Sequence, residues 1–521
     1  MSKGTAGNGS SYELYLNKKS KKIISNDPQK VKKAHDMGKL TAQERTELLF
    51  DDGKYEEIYP WRKNSCTHFD LYKKDLNNEG VITGFGNVSG RRVCSFSHDV
   101  FVMGASVGEA QGDKICRTIG LAVKAGVPVV GLCDASGARI QEGVAGLNAY
   151  CTIFESISVA SGWIPQISLI MGTCAGGTAY ASALTDFIIM VEDMGKLFIT
   201  GPEVIKAVTW EDATFDDLGG ATLHGTKTGL AHFVVKTEQD AVKTAQRLLS
   251  FLPANSKEKP PVYPNTDPVN RNVSEIMEII PENQNKAYDM KKVIRAVLDD
   301  GDFMEIQEKF ATNMIIGLGR INGRTVGIVA NQPKVLSGCI DINASWKAAR
   351  FVRFCDIFNI PLITLADCPG YLPGVKQEQR GIIRNGSKLL FTYSEATVPK
   401  ITVVVRKDYG GAYSAMCGKG MGADIVLALP TAELAVMGAE GAVNIIYKNE
   451  IKRAADPEKE REKLIEQYRE DFLNPYMGAE FGIVDDIIDP SLLREKLNTY
   501  LNILAEKDIW RPFKKHSNIP L

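Results

Sequence analysis

Two stretches of this chain end a β-branched, almost wholly apolar run in a glycine pair. Ile164-Pro165-Gln-Ile-Ser-Leu-Ile-Met171 leads to Gly176-Gly177-Thr178-Ala179, and Val398-Pro399-Lys-Ile-Thr-Val-Val-Val405 leads to Gly410-Gly411-Ala412-Tyr413. A small-residue turn that follows a buried strand and opens a helix leaves backbone N–H groups without partners. Glycine lets another molecule approach that backbone closely. Such donors can form an oxyanion hole, in which one well-placed N–H is worth about 3–4 kcal/mol in a transition state. Tight helix–strand packing uses the same glycines, so the turns alone leave both readings open.

Other chemistry-bearing candidates are weaker. Gly172-Thr-Cys174-Ala-Gly176 has the G-x-nucleophile-x-G form of a hydrolase elbow. The second stretch places Asp408 where Cys174 stands, and the six histidines (35, 68, 98, 224, 232 and 516) nominate no partner for a cysteine nucleophile. Asp134 and Asp367 look like a carboxylate pair. An aspartate at a strand end that accepts from loop N–H groups is the commoner arrangement. Gly84-Phe-Gly86 and Gly317-Leu-Gly319 lack the G-x-G-x-x-G spacing and read as strands entering hairpin turns. There is no G-x-x-x-x-G-K-[ST] phosphate loop.

These elements come in duplicate. Gly84-Phe-Gly-Asn-Val-Ser-Gly90-Arg91 returns as Gly317-Leu-Gly-Arg-Ile-Asn-Gly323-Arg324, and from 84–134 to 317–367 eleven of fifty-one positions are identical without a gap. Unrelated chains would share about three. The chain therefore divides into residues 1–255, with a helical amphipathic arm around Val31–Leu49, a proline-rich linker over 256–275, and a second copy over 276–521. The second copy differs by an inserted charged helix, for which Asp456 is the cap, Pro457 suits the first position, and Leu464, Ile465, Tyr468 and Phe472 form one packed stripe. Loops 134–143 and 367–374 both follow the carboxyl end of a buried strand, where α/β folds place ligands.

Composition narrows the field. The 521 residues carry 62 Lys+Arg against 63 Asp+Glu, so no global field favours nucleic acid or an acidic membrane surface. No run approaches a membrane span, and the polar Gly/Ser-rich start has no apolar signal core. Ten cysteines without a C-x-x-C pair argue for reduced thiols in a cytoplasmic protein and against a zinc site.

The chain resembles the carboxyltransferase (β) subunits of biotin-dependent acyl-CoA carboxylases of the propionyl-CoA and acetyl-CoA type. The resemblance rests on Asp134-Ala-Ser-Gly-Ala-Arg-Ile-Gln-Glu-Gly143, Cys174-Ala-Gly-Gly177, Gly201-Pro-Glu-Val-Ile-Lys-Ala-Val208, Gly338-Cys-Ile-Asp-Ile-Asn-Ala-Ser345, Gly381-Ile-Ile-Arg-Asn-Gly386, Ala396-Thr-Val-Pro-Lys400, Gly410-Gly-Ala-Tyr413 and Ala435-Val-Met-Gly-Ala-Glu-Gly-Ala-Val-Asn444. It spans about 30–515, in family order. It implies an α/β fold of two tandem crotonase-like domains, each a spiral of ββα units, assembled as a homo-hexamer with sites between the N-half of one chain and the C-half of another. It implies transfer of a carboxyl group from carboxybiotin, held on a separate carrier, to the α-carbon of a short acyl-CoA.

On that resemblance, Gly177 with Gly176 or Ala138 would hold the thioester oxygen of an enolate. Gly411 and Ala412 would hold the biotin ureido oxygen. Gly137, Arg139, Tyr371, Gly410, Tyr413 and Ser414 would line the substrate. The biotin nitrogen can take the α-proton, so no metal and no side-chain base is required. No Ala-Met-Lys-Met motif and no ATP-binding module occurs in the sequence, which implies separate biotin carboxylase and carrier partners. Ser414 departs from the Asp, Ile or Cys often found at a position tied to acyl-chain choice, and a small residue there fits both acetyl- and propionyl-CoA. Methylmalonyl-CoA decarboxylase α subunits and transcarboxylase large subunits share the half-reaction in reverse. A biotin-independent hydratase would leave the second turn unexplained, and a non-catalytic scaffold would leave both unexplained.

Overall fold

In a computed structural model the chain forms two compact units, Met1–Ser250 and Phe251–Leu521. The residues described are 9–23, 28–74 and 76–520. The first unit holds β1 (Tyr55–Glu57), β2 (Val81–Val88), β3 (Arg91–His98), β4 (Val129–Ala135), β5 (Gln166–Ala175), β6 (Phe187–Val191), β7 (Lys196–Phe198) and β8 (Phe233–Val235). The second holds β9 (Phe303–Ile306), β10 (Met314–Ile321), β11 (Arg324–Asn331), β12 (Leu362–Cys368), β13 (Lys400–Tyr409), β14 (Ile425–Ala428), β15 (Glu433–Ala435) and β16 (Asp486–Ile487). The sheet orders are β1-β2-β3-β4-β5-β6-β8 and β9-β10-β11-β12-β13-β14-β16, with β7 paired to β5 and β15 paired to β13. Strand for strand the two sheets are the same.

In each sheet the first three strands are antiparallel and the rest parallel. Parallel strands are covered on both faces, which is why β4, β5, β12 and β13 read as continuous apolar runs. Ile153, Ile157, Ile170 and Leu197 anchor the first core; Ile328, Leu365, Val403 and Leu427 anchor the second. The expected hairpins form at Ser89-Gly90 (φ 50° and 76°) and Asn322-Gly323 (φ 51° and 73°), the left-handed pair that joins two strands without splaying them. One carboxylate receives both turn N–H groups in each case, Asp51 in the first unit and Asp299 in the second, at 2.7–2.9 Å. Buried lysines 233 positions apart repeat a further device. Lys114 Nζ donates to the carbonyls of Asn78 and Val81, and Lys347 Nζ to those of Gln307, Phe310 and Met314. Each Nζ satisfies carbonyls that would otherwise be buried without a donor.

Two departures from the sequence reading stand out. The proline-rich stretch expected to be a linker over 256–275 is packed onto the second unit rather than tethering two units. Tyr263 N–H donates to Gly323 O at 3.0 Å. Arg320 lies over the rings of both Phe251 and Tyr263, and Arg494 donates to Pro268 O. Proline removes donors but leaves carbonyls, and arginines use them. The helical arm of the first unit also carries more than amphipathic packing: helix Ala42–Leu49, capped by Thr41 and Glu44, delivers the wholly buried Arg45 into the sheet. The inserted helix Pro457–Phe472 is capped by Asp456 as expected, and it buries Leu464 and Ile465 against Tyr409 and Val443.

Candidate functional site

Both glycine turns occur because the fifth strand of each unit outruns its neighbour. β6 pairs with β5 only as far as Ile170, and β7 takes over at Thr173–Ala175. In the second unit β14 gives way to β15 in the same manner, at Lys407–Tyr409. The chain then turns sharply at Gly176 (φ 56°, ψ −120°) and Gly410 (φ 56°, ψ −126°) into the short helices Gly177–Ala183 and Gly411–Ala415. Positive φ with that ψ is open only to glycine. The two turns have the same backbone although their neighbours have diverged.

The first N–H of each turn is already used: Gly176 donates to Phe198 O and Gly410 to Ala435 O, at 3.0 and 2.9 Å. Gly176 sets the shape of the turn while its own N–H is taken up by the neighbouring strand. Loops 136–139 and 369–372 supply the second free donor. Ala138 bridges Val107, but the hydrogen bonds of that bridge come from Val107 and Arg139. Tyr371 bridges Ile340 in the same way, through Ile340 and Leu372. Among the described residues the N–H groups of Ala138 and Gly177, and of Tyr371 and Gly411, have no acceptor. These four residues are exposed or half-exposed. Ala412 is wholly buried, whereas Tyr371 and Gly411 are not.

The loops lie against the turns. A Cβ on Gly137 (φ 99°) would come within 3.4 Å of Ala175 O, and one on Gly411 within 3.3 Å of the Tyr371 ring. Rings back both turns, though from different elements. Tyr150, from helix Val144–Ala160, lies against Gly177, and the loop residue Tyr371 lies against Gly411 and Gly386.

Several expected substrate contacts serve the frame instead. Arg139 is wholly buried, donating to Glu79, Glu142 and Ser106 O; a guanidinium so enclosed does not reach a ligand. Tyr413 packs on Gly418, and its hydroxyl accepts from Lys419 N–H at 3.0 Å. Ser414 is half-buried and its side chain makes no hydrogen bond among the described residues. The strand-end aspartates accept chiefly from cations rather than from loop N–H groups: Asp134 from Lys39 Nζ (2.9 Å) and Arg45 (3.3 Å), Asp367 from Arg406 Nε (3.0 Å). Each marks a β-bulge, between Cys133 and Ala135 and between Ala366 and Cys368. The bulges re-aim the chain into the donor loops.

Cys174 is wholly buried in β5, and burial pushes its thiol well above the ordinary range. A thiol that does not ionise is no nucleophile, so Cys174→Ala is expected to keep turnover within about threefold of wild type, as a progress-curve assay would read. Its counterpart Asp408, which the sequence offers only as a mismatch to Cys174, has a distinct environment. Both carboxylate oxygens are buried without a partner, and burial, with the charge of Asp367 adding to it, raises its pKa to about 8. No cluster of potential metal ligands occurs among the described residues. Apolar side chains flank each turn in the open: Ile140, Val144 and Leu147 beside the first, and Val375, Ile383 and Val436 beside the second, all more than 60% exposed.

Residues 33–519 match the Carboxyl transferase domain family. The chain is 51% identical to a propionyl-CoA carboxylase carboxyltransferase subunit of Haloferax mediterranei, covering 94% of each. It is 49% identical to a methylmalonyl-CoA decarboxylase subunit alpha of Propionigenium modestum, covering 97% and 98%. It is 50% identical to a biotin-dependent acetyl-/propionyl-coenzyme A carboxylase beta5 subunit of Mycobacterium tuberculosis, covering 94% and 91%. Among solved structures, a transcarboxylase 12S hexamer with methylmalonyl-coenzyme A bound superposes over 100% of both chains with a TM-score of 0.96 at 47% identity.

Proposed function

Because the chain belongs to the carboxyl transferase family, we propose that its two turns divide one carboxyl-transfer reaction on a short acyl-CoA. Ala138 and Gly177 hold the thioester oxygen. Two N–H donors at that position stabilise the negative charge that develops as the α-proton leaves, which is where oxyanion holes act. Tyr371 and Gly411 offer an equivalent pair, and the missing side chain at Gly411 leaves room for a planar ureido group to lie against the backbone. When bound there on its carrier, carboxybiotin supplies the carboxyl group. The chain's own residues orient the acceptor and hold charge; none of them has to act as a base. One observation carries this reading: on each of two copies of one fold, a pair of backbone N–H donors has no acceptor among the described residues.

Substrate and assembly follow from the same frame. Ser414 is small, which favours acetyl- and propionyl-CoA as acceptors. The exposed apolar residues beside both turns support burial against other copies of this chain in a homo-hexamer, as the transcarboxylase 12S structure assembles. Biotin carboxylase and biotin carrier subunits complete the enzyme. Ten free cysteines support a cytoplasmic location. The test is carboxyl transfer from carboxybiotin, free or on a carrier, to acetyl-, propionyl- and butyryl-CoA. Carboxylation of one or both short acceptors is expected; no transfer to any of the three would remove the assignment. The 49% identity to a methylmalonyl-CoA decarboxylase subunit supports a second reading in which transfer runs from CoA to biotin. Co-purification with an ATP-hydrolysing biotin carboxylase, or with a membrane decarboxylase subunit, separates the two.

A further inference from the structure

The first turn has a floor. Tyr150 is 4% exposed, and a Cβ on Gly177 would sit 2.5 Å from its ring carbons. The ring therefore lies directly beneath the Gly177 backbone and occupies the space a side chain would need. It is held from several sides. Its hydroxyl and Thr178 Oγ1 are 2.7 Å apart, its face meets Phe154 at 5.9 Å between centroids, and Phe154 meets Tyr180 edge-on at 6.5 Å. The ring also lines a cavity of about 30 Å³ that it shares with Thr178, Ile153 and Ile157. His98 and Ser182 also face it, and burial lowers the imidazole pKa to about 4, so it adds no charge at neutral pH.

We propose that Tyr150 sets the length of acyl chain accepted at the first turn. The proposal rests on the reading of Ala138 and Gly177 as holders of the thioester oxygen. With the oxygen on those N–H groups, the first chain carbons lie within a few ångströms of Gly177, which has no side chain of its own to meet them. The surface they meet is the Tyr150 ring. A ring fixed by a hydrogen bond and an aromatic contact, the latter backed by Tyr180, yields little, and an apolar pocket that does not yield rejects an extra methylene by about 10- to 200-fold. The cavity that the ring lines is space it withholds. Removing the ring joins that space to the turn and admits longer chains.

The measurement is kcat/KM for acetyl-, propionyl-, butyryl- and hexanoyl-CoA, made on the subunit reconstituted with biotin carboxylase and carrier. The wild type should use butyryl-CoA at least about tenfold less well than propionyl-CoA. Tyr150→Ala should raise the butyryl-to-propionyl ratio by about tenfold or more, and Tyr150→Leu, which keeps most of the packed volume, should raise it by less. A wild type that uses butyryl-CoA as well as propionyl-CoA overturns the proposal without any variant. So does either variant if it melts like wild type and keeps the wild-type ratio. A wild type that carboxylates none of the four strikes at the assignment of the turn itself, which is a different failure.

Discussion

Gly177→Ala is expected to lower kcat for carboxyl transfer by about 10²- to 10³-fold, the usual loss when one oxyanion donor is displaced. The new Cβ would lie 2.5 Å from the Tyr150 ring, a separation that real carbon atoms do not tolerate. The ring is buried and bonded to Thr178, so the backbone must move and carries its N–H away from the oxygen. A shift of about 1 Å suffices to cost about 10²-fold. The second turn should respond at a different residue. Gly410 has φ 56°, and its Cβ would stand 2.8 Å from Val436 O. Gly410→Ala therefore strains the backbone and pushes the turn off its support. At Gly411 the nearest atom is a Tyr371 ring carbon at 3.3 Å, which a small adjustment accommodates, so Gly411→Ala should cost less than either. Steady-state rates with propionyl-CoA, paired with melting curves, test the set. A folded Gly177→Ala protein with rates within threefold of wild type would end the oxyanion reading of that turn.

Asp408→Asn should stabilise the protein, and more so in alkali than in acid. The carboxyl titrates at about 8 in the fold against an ordinary 3.8. Between those values the unfolded chain has released a proton that the folded chain still holds, so stability falls as pH rises through that window. Below about pH 4 the group costs nothing by ionisation; above about pH 8 the loss is complete. Four units at about 1.4 kcal/mol each put the swing on the order of 5 kcal/mol. Asparagine keeps the shape and cannot ionise. The melting temperature of Asp408→Asn should exceed that of wild type by several degrees more at pH 8.5 than at pH 5.5. Equal differences at the two pH values would show that Asp408 is already paired or hydrated.

The frame was legible because duplication repeats spacing. The offset that aligned Gly84 with Gly317 also aligned β4 with β12, and the glycine pairs announced the turns. The donors were less legible. Nothing in the Gly176-Gly177 pair says which N–H the neighbouring strand will take; that depends on β7 reaching Phe198, a contact made across 22 residues. The repeat did hold the missing signal for the second donor, since Ala138 displaced by 233 is Tyr371. Arg139 misled because a charged residue in a glycine loop suggests a ligand, whereas its partner Glu79 lies sixty residues away in sequence. Lys39 and Arg45 read as the polar face of an amphipathic arm for the same reason. A buried ion pair leaves no periodic trace.

The ion pairs beneath the two turns also differ in when they can form on a growing chain. Asp367 waits only for Arg406, 39 residues later. Asp134 is gripped by Arg45, which is itself held by Glu238, 193 residues beyond it. Long-range contacts of that kind are paid for late, after loop closure. During synthesis the first turn therefore stays without its full anchorage until nearly all of its unit has emerged. The second turn has its ion pair as soon as β13 appears and needs only β15, shortly after, to take up Gly410 N–H.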